Sequence, residues 1–311
     1  MESPVTDSRS SLATSTIVGS RRIQLLVFPV EEGVPWPRRS EYALDIVADG
    51  SRDTTGMSCV VEKSIQGIPN ASTVRLWNLS EETRETLSLK GLQAEIAIAD
   101  PYSKNLQTIF RGGIISCISD RAGADIITTL YLLANVVTLM TTASSFGFDR
   151  TPLKEVLESF KTKANLKKVR MYGFDNSAVV PRFSYQGSLV NALNKLAFQE
   201  SFSWGVEGYE LVALADEKTT GNVVEFTPDT GLIRAVPILA GPFYAQTGVS
   251  VVSYPCAWVT PGDGLKVESK INAKTCNRND LKIATIKYNL STIEDQWTME
   301  STCFVKSLIG A

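Results

Sequence analysis

The stretch that decides the fold covers residues 70–84 and reads Asn70-Ala-Ser-Thr-Val-Arg-Leu-Trp-Asn-Leu-Ser-Glu-Glu-Thr-Arg. It predicts a strand over residues 74–77 that runs directly into a short helix. Ser80 is placed to cap this helix with its hydroxyl, because a serine side chain can accept a backbone N–H of the first turn. The two glutamates that follow it lie where the helix dipole favours negative charge.

The strand within this stretch has two different faces. Val74 and Leu76 alternate with Arg75 and Trp77, and successive side chains of a strand point to opposite sides of the sheet. We therefore expect the aliphatic pair to face the interior and Arg75 and Trp77 to face outward. Because Trp and Arg are typical anchors of protein interfaces, the outward pair is a candidate contact to a neighbouring subunit.

The rest of the first half is also rich in strand patterns. Short apolar or alternating runs, separated by turn residues, indicate several strands and one short helix up to about residue 143. This spacing is typical of an antiparallel barrel or sandwich. The runs cover residues 23–30, 42–47, 57–65, 94–100 and 109–115.

Two segments of the first half do not fit a sheet. Residues 1–20 are rich in Ser and Thr and poor in large apolar side chains, which predicts a flexible arm that orders on assembly. Trp36 lies between Pro35 and Pro37, so its loop cannot be a central strand. An aromatic residue on such a loop is a further candidate for a subunit or partner interface.

Residues 144–220 have a different pattern. Thr151 and Pro152 are typical of a helix start, and Ser188 opens a second amphipathic helix. The dipeptide Glu207-Gly208 lies between two apolar runs and predicts a hairpin turn. We expect a small α/β module here, followed by a second β-rich region over residues 221–311.

Composition excludes several classes of function. Hydrophobic residues make up 43% of the chain and charged residues 21%, with a formal net charge of −2, so no general attraction to nucleic acid or anionic membrane is expected. No apolar run reaches the roughly 18 residues that a membrane-spanning helix needs. The chain contains no histidine, which removes Ser-His and Cys-His catalysis and His-ligated zinc.

The candidate metal and cofactor motifs are weak. The five cysteines contain no C-x-x-C pair, and we expect reduced, mostly buried thiols. Gly112-Gly113 lacks the surrounding residues of a phosphate-binding loop and is interpreted as a strand irregularity. The single aspartate of Gly262-Asp263-Gly264 is a poor calcium site. We predict no cofactor, no metal site and no catalytic residue.

Two alternatives remain open at this level. The basic residues between Lys161 and Arg170 could contact an acidic partner or nucleic acid, although a solvated helix face is the simpler interpretation. A pair of carboxylates distant in sequence could hydrolyse a glycan, which requires two facing carboxyl groups. Sequence alone does not exclude either possibility.

The order of these motifs resembles that of a known family. The strand and capped helix of residues 70–84, the strand of residues 94–100 and the Gly-marked strand of residues 109–115 resemble the first barrel of baseplate hub proteins of contractile-tailed bacteriophages. These barrels are similar to those of tail-tube proteins. The segment that begins at Tyr185-Gln-Gly-Ser and the later Gly-Leu-Ile-Arg of residues 231–234 resemble the transition to the second barrel, and similar modules occur in spike-base proteins of type VI secretion.

The resemblance implies a fold and a role. The expected fold is mainly β, with two tail-tube-like antiparallel barrels (21–143 and 221–311) flanking the α/β insert of residues 144–220. The expected protein is a non-enzymatic virion component of the tail baseplate, assembled in the host cytoplasm. It would form a homotrimeric ring that joins the sixfold tail tube to the central spike.

The same resemblance implies partners. These are the tail-tube protein, the central spike and the tape-measure protein, with DNA passing through the ring without sequence-specific binding and without membrane insertion. The alternatives are another tube-end or secretion-spike base protein, or a cell-wall-degrading carboxylate hydrolase of the tail.

Overall fold

The computed structural model describes residues 21–29, 44–51, 53–67, 69–99, 105–134, 142–175, 177–240 and 245–305. The predicted N-terminal arm and the loop that carries Trp36 lie outside these residues. Among these residues, the first part contains seven strands and one helix: β1 (Ile23–Pro29), β2 (Leu44–Ala48), β3 (Met57–Ser64), β4 (Ala71–Trp77), α1 (Glu81–Leu87), β5 (Leu92–Ala99), β6 (Leu106–Ala122) and β7 (Asp125–Leu133).

The middle part alternates strands with two longer helices. Its elements are β8 (Ala143–Pro152), α2 (Leu153–Lys163), β9 (Lys168–Tyr172), β10 (Val179–Ser188), α3 (Leu189–Glu200), β11 (Phe202–Glu207) and β12 (Glu210–Ala215). The pair β8–β10 is antiparallel, and β11, β12 and β9 form a separate three-stranded sheet. Both helices bury the apolar faces that their sequence spacing predicts.

The last part returns to β structure. Its elements are β13 (Val223–Phe226), a 3₁₀ helix (Pro228–Thr230), β14 (Leu232–Ala240), β15 (Ala245–Ser253), β16 (Gly264–Val267), α4 (Ala273–Cys276), β17 (Arg278–Ser291) and β18 (Trp297–Val305). The predicted mainly β fold with an α/β middle part is therefore confirmed.

The first and last parts share one sheet, which the sequence did not predict. The long strands β3 and β17 pair antiparallel, from Ser64 opposite Thr285 to Ser58 opposite Ser291. The resulting 13-stranded sheet follows the order β14-β15-β18-β17-β3-β4-β7-β6-β5-β1-β2, with β16 paired to β17 and β13 paired to β16. Within the described residues β2 does not pair with β3, and β14 does not pair with β13 or β16, so neither of the two expected barrels is closed.

Most buried apolar side chains form one cluster that draws on all three parts of the chain. A small second cluster of Ile65, Val212 and Leu214 lies between β3 and the insert strand β12. The five cysteines are free thiols; four are buried and Cys117 is half-buried. No helix among the described residues is long and apolar enough to cross a membrane.

The β4–α1 junction matches its prediction closely. Val74 and Leu76 are fully buried, and Leu79 and Leu87 hold the short helix against the same core. The Ser80 hydroxyl accepts a hydrogen bond from the backbone N–H of Thr83 at 3.2 Å. The helix therefore has the side-chain cap that its sequence indicates.

Loss of this cap has a measurable cost. We expect Ser80→Ala to lower the free energy of unfolding by about 1 kcal/mol, because it leaves a first-turn N–H without its side-chain acceptor. Ser80→Gly should cost only a few tenths of that amount, since glycine is tolerated at helix caps. Urea titration of the two variants checks the prediction, and an alanine variant as stable as the glycine variant would contradict it.

The start of α2 differs from its prediction. Thr151 does not cap the helix: it pairs with Val180 at the end of β8, and its hydroxyl donates to the carbonyl of Asp149. Pro152 is the residue before the first helical turn and provides no side-chain cap. The proline still fixes the backbone for helix entry, but β8 continues two residues further than the sequence pattern suggests.

Candidate subunit interface

The feature of interest is the run of eight consecutive strands β14-β15-β18-β17-β3-β4-β7-β6, called here the eight-strand run. One row of directly paired residues crosses it from end to end. The row is Ile114, Leu132, Ser72, Val61, Tyr288, Met299, Ser253 and Leu232. All of its members between the two end strands are almost fully buried, so the row marks the face of the run that packs on the core.

The opposite face, called here the outer face, carries the side chains of the alternate rows. These side chains are exposed or half-exposed across all eight strands. Hydroxyl residues are frequent on it: Ser58, Thr73, Thr129, Ser250, Thr285, Thr298 and Thr302. A sheet face that the described residues of its own chain leave uncovered is available to another molecule.

Charge on the outer face is balanced. Lys287 pairs with Glu62 at 2.8 Å across the β17–β3 junction. Glu300 accepts a hydrogen bond from the Ser250 hydroxyl at 3.2 Å, and Arg75 is exposed on β4. Such a face offers no strong attraction to a polyanion.

Arg75 and Trp77 lie on the outer face, as their alternation with Val74 and Leu76 predicts. Arg75 is opposite Ser58 on β3 and Thr129 on β7. Trp77 is half-buried, opposite Ile127, and its backbone N–H donates to the carbonyl of Gly56 at 3.0 Å. The structure thus brings two of the three candidate residues to one surface, while Trp36 lies outside the described residues.

A second polar cluster joins the insert to the main sheet. It consists of Lys63 on β3, Arg170 on β9, Glu207 at the end of β11 and Glu210 at the start of β12, and is called here the insert joint. Lys63 Nζ lies 2.8 Å from one Glu207 oxygen, and Arg170 lies 2.8 Å from the other and 2.6 Å from Glu210. Lys63 keeps the pKa of Glu207 at about 2, against the opposing effect of burial, and Arg170 adds to the lowering.

Hydrogen bonds from one side chain to two backbone groups strengthen this joint. The side-chain amide of Asn70 donates to the carbonyl of Val206 at 2.9 Å, and its oxygen accepts a hydrogen bond from the backbone N–H of Ser64 at 2.8 Å. Gly205 permits this approach, because a Cβ atom there would lie 2.7 Å from the Ser64 carbonyl oxygen. The insert is therefore held by a specific polar contact as well as by the small apolar cluster beside it.

Another lysine of the main sheet also reaches the insert. Lys282 on β17 is 1% exposed and donates to the carbonyl of Asp216 at 3.0 Å. Burial lowers its pKa to about 8, although Asp216 opposes the shift. Nearby Asp263 is fully buried; burial raises the pKa of its carboxyl, which accepts hydrogen bonds from Thr220 and Thr260.

These groups do not form an evident hydrolytic pair. Glu207 is held ionised by its cationic neighbours, whereas a general acid needs a raised pKa. Asp263 has a raised pKa but no exposed surface through which to reach a substrate. The part of the chain that the structure describes contains no group of three or more Cys, Asp or Glu side chains arranged to hold a metal ion.

The basic residues between Lys161 and Arg170 do not form a single patch. Lys161 pairs with Glu158 at 2.5 Å, Lys163 lies 4.0 Å from the Phe146 ring, and Arg170 belongs to the insert joint. These contacts within the chain favour a solvated helix face over a nucleic-acid site.

Solved structures that superpose on this chain include phage tail proteins and a component of a secretion system. A tail protein from Neisseria meningitidis superposes with a TM-score of 0.65 at 9% identity, covering 93% of this chain and 98% of that one. The 43 kDa tail protein of a Shewanella oneidensis prophage gives 0.62 at 9% identity, with coverage of 93% and 98%. This chain has the fold of phage tail proteins.

The likeness extends to secretion systems. An Escherichia coli component of the type VI secretion system, described as structurally similar to T4 bacteriophage tail proteins, gives a TM-score of 0.55 at 10% identity. It covers 83% of this chain and 76% of that one. No protein-family model and no curated protein sequence matches the chain, so the tail-protein fold is preserved at identities where sequence comparison fails.

Sequence reasoning missed the insert joint and the ends of the eight-strand run. Lys63 and Glu207 are far apart in sequence, and the one motif that contains either of them, the Glu207-Gly208 hairpin turn, gives no indication of an ion pair. The free edges of a sheet depend on strand order, which periodicity does not reveal. The only local signal was Gly205, a glycine within a strand, which indicates a close backbone approach.

Proposed function

We propose that this chain is a non-enzymatic subunit of the phage tail baseplate, a hub subunit that closes as a homotrimeric ring. The observation that carries the proposal is an uncovered eight-strand face that spans both β-rich parts, in a chain with the fold of phage tail proteins. A ring needs a head-to-tail contact between two different surfaces of each subunit. The two ends of the run provide such surfaces.

In this proposal the ring joins the sixfold tail tube to the central spike. Each chain contributes two β-rich parts, so three chains provide six positions against the tube. The tail-tube protein, the spike and the tape-measure protein are the proposed partners, and the division at residues 20, 143 and 220 is part of the same proposal. The ring would let DNA pass without sequence-specific binding, because the charged side chains on the eight-strand run are balanced.

The test is a measurement of mass and symmetry. Light scattering of the purified chain should give about three times the 33.9 kDa chain mass, and electron micrographs should show a threefold ring. Purified protein should also leave peptidoglycan intact. A monomer that persists at high concentration, with the tube and spike proteins added, would overturn the proposal.

A second candidate is a base protein of a secretion spike, supported by the likeness to the type VI component. Both candidates predict a ring, so they differ in the partner that is bound. Binding to a phage tail-tube protein, compared with a secretion-tube protein in the same assay, separates them. A hydrolase would instead lyse cell walls and lose activity on a single Glu or Asp substitution.

The proposal gives Trp77 a specific role. We expect Trp77→Ala to weaken ring assembly by at least about fivefold, because interface anchors are typically Trp, Tyr and Arg and cost about 1 kcal/mol or more when truncated. Its effect on monomer unfolding should be smaller, since the side chain is already half-exposed. Assembly is measured from the concentration dependence of mass, and stability by urea titration.

Phe198 on α3 provides the matched control, because it is an aromatic residue with 91% exposure outside the eight-strand run. Phe198→Ala should leave both assembly and stability unchanged. Severe unfolding of Trp77→Ala with normal assembly would show that Trp77 serves the core of its own chain.

A further inference from the structure

The insert contains a small sheet whose two strands are both edge strands. Strands β8 and β10, ten residues each, pair antiparallel, and among the described residues they pair with no other strand. This pair of strands is called here the insert ribbon. Helices α2 and α3 pack on it, and Phe146, Phe160 and Phe183 are buried between them. Because a free edge presents unpaired N–H and C=O groups to any other strand, the ribbon has two edges to protect.

The register of the ribbon identifies the backbone groups that point to its edges. The N–H of Leu189 donates to the carbonyl of Thr142 at 3.3 Å. In an antiparallel sheet, bonded pairs alternate with pairs whose backbone groups point away from the partner strand. The register is unshifted from Ser188 opposite Ala143 to Arg182 opposite Asp149. The pairs that point outward are therefore Ser188–Ala143, Gln186–Ser145, Ser184–Gly147 and Arg182–Asp149.

On the β8 edge, two of the outward carbonyl groups already have partners. Lys163 reaches back from the end of α2, and its Nζ donates to the carbonyl of Ser145 at 2.9 Å. The Thr151 hydroxyl donates to the carbonyl of Asp149 at 3.2 Å. Residues 143–148 include no proline and no charged residue, the types that usually protect an edge. Along this part of β8 the protection therefore comes from the helix.

The β10 edge is closed in the same way. Lys195 of α3 donates from its Nζ to the carbonyl of Ser184 at 3.0 Å. One turn later on the same helix, the Gln199 amide donates to the carbonyl of Arg182 at 3.1 Å. Pro181 follows in the strand and has no N–H to offer. This edge therefore has two side-chain donors and a proline.

Aromatic rings of the ribbon hold both lysines in position. The Lys163 ammonium group lies 4.0 Å from the centre of the Phe146 ring. That of Lys195 lies 5.7 Å from the centres of both the Phe183 and the Tyr185 rings. A lysine within about 6 Å of a ring face is attracted to it. Each ammonium group is thus fixed beside the carbonyl that it occupies.

We propose that Lys163 and Lys195 guard the two edges of the insert ribbon against pairing with a strand of a second copy. Each occupies an outward carbonyl and places a charge at the edge, which an added strand would have to displace. The β8 edge depends more strongly on its lysine, because it has no counterpart of Pro181 between residues 143 and 148. The inference goes beyond the proposed function and does not depend on it.

Lys163→Met tests the guard on the β8 edge. Methionine keeps an unbranched apolar side chain but has neither the donor nor the charge. The concentration at which the purified full-length protein forms species larger than the wild-type particle should fall at least about tenfold, the equivalent of one charge-assisted hydrogen bond. Light scattering follows the association, and thioflavin T fluorescence reports the added strand pairing.

Three further variants separate edge pairing from other effects. Lys161→Met makes the same change of charge on α2, but Lys161 pairs with Glu158, so it should associate like wild type. Lys163→Arg keeps a donor and a charge and should do the same. Adding Gly147→Pro to Lys163→Met should restore wild-type behaviour. The Gly147 N–H points outward and a Cβ atom there meets nothing within 4 Å, so proline blocks the edge without breaking the ribbon.

Two results would overturn the inference: association of Lys163→Met no stronger than that of Lys161→Met, or association that persists with Gly147→Pro. Circular dichroism and urea titration establish that each variant is folded. If Lys163→Met does not fold, the double variant Lys195→Met with Gln199→Met decides on the β10 edge. It should associate more readily than Lys161→Met, by less than the Lys163→Met expectation because Pro181 remains. Association equal to that of Lys161→Met would then overturn the inference.

Discussion

Replacing Glu207 with glutamine is expected to lower the free energy of unfolding by up to about 3 kcal/mol, because breaking a buried ion pair leaves an uncompensated charge. Lys63, whose side chain is 8% exposed, would lose the carboxylate that lies 2.8 Å away. Arg170 would retain Glu210 at 2.6 Å. The loss should therefore concentrate at the contact between β3 and the insert, measured by urea titration at neutral pH.

The pH dependence gives this prediction a second readout. The pKa of Glu207 is about 2 in the folded protein, against an ordinary value of 4.5. A lowered folded-state pKa contributes stability that is fully present above the unfolded value and is lost as the pH falls through the folded value. Wild-type stability should thus decline more steeply than that of Glu207→Gln between pH 4.5 and pH 2, and the two curves should converge.

Glu62→Gln is the matched control, because Glu62 is adjacent to Lys63 on β3 and also pairs with a lysine at 2.8 Å. Its side chain is 58% exposed, and exposed pairs contribute only about 0 to 1 kcal/mol. A loss for Glu207→Gln no larger than that of the control, or curves that stay parallel in acid, would show that the insert joint does not hold the insert in place.

The parts of the fold that sequence predicted are those fixed by local interactions. The β4–α1 junction depends on residues within one turn of each other: Ser80 caps α1, and the alternation of Val74 and Leu76 determines the buried face. Helix α3 likewise begins at the capping residue Ser188, which accepts the N–H of Asn191. These signals involve residues that are close in sequence, so they do not depend on how distant segments of the chain pair.

The parts that sequence did not predict depend on contacts between distant segments. The pairing of β3 with β17 joins residues more than 200 positions apart, and alternation alone does not specify the partner of a strand. The two β-rich parts therefore appeared in the sequence as separate barrels, whereas they share one sheet. At Thr151 a local helix signal was overridden because β10 extends the pairing of β8.

The candidate interface also combines features that the sequence predicts with features that it does not. The outward direction of Arg75 and Trp77 follows from strand periodicity, and the structure confirms it. Strands β6 and β14 each contain a β-bulge, at Ile115 and at Ile233, and both isoleucines are exposed. Sequence does not indicate this, since an isoleucine within a β-rich segment normally indicates a core position. Surface isoleucines at sheet edges can be recognised only from the folded chain.

Lys282→Met is expected to change how stability depends on pH in the alkaline range. The pKa of Lys282 is about 8 in the folded protein, against an ordinary value of 10.5, because the side chain is buried. The folded state therefore releases this proton before the unfolded state does, and wild-type stability gains a contribution as the pH rises from 8 to 10.5. The methionine variant lacks this contribution, so its advantage relative to wild type should shrink by up to about 3 kcal/mol across this window.

The comparison isolates Lys282 from the other groups that titrate at high pH, since these are shared by both proteins. Lys287→Met is the matched control on the same strand, because the Lys287 side chain is 46% exposed and pairs with Glu62 at the surface. That control removes a surface lysine whose ion pair contributes only about 0 to 1 kcal/mol. If the Lys282→Met difference from wild type does not change with pH, the Lys282 ammonium group keeps its ordinary pKa and its burial against the insert carries no electrostatic cost. A change with pH that is seen for Lys282 would show that the contact between β17 and the insert is made at the expense of a desolvated charge, which hydrogen bonds to the carbonyls of Ala215 and Asp216 partly offset.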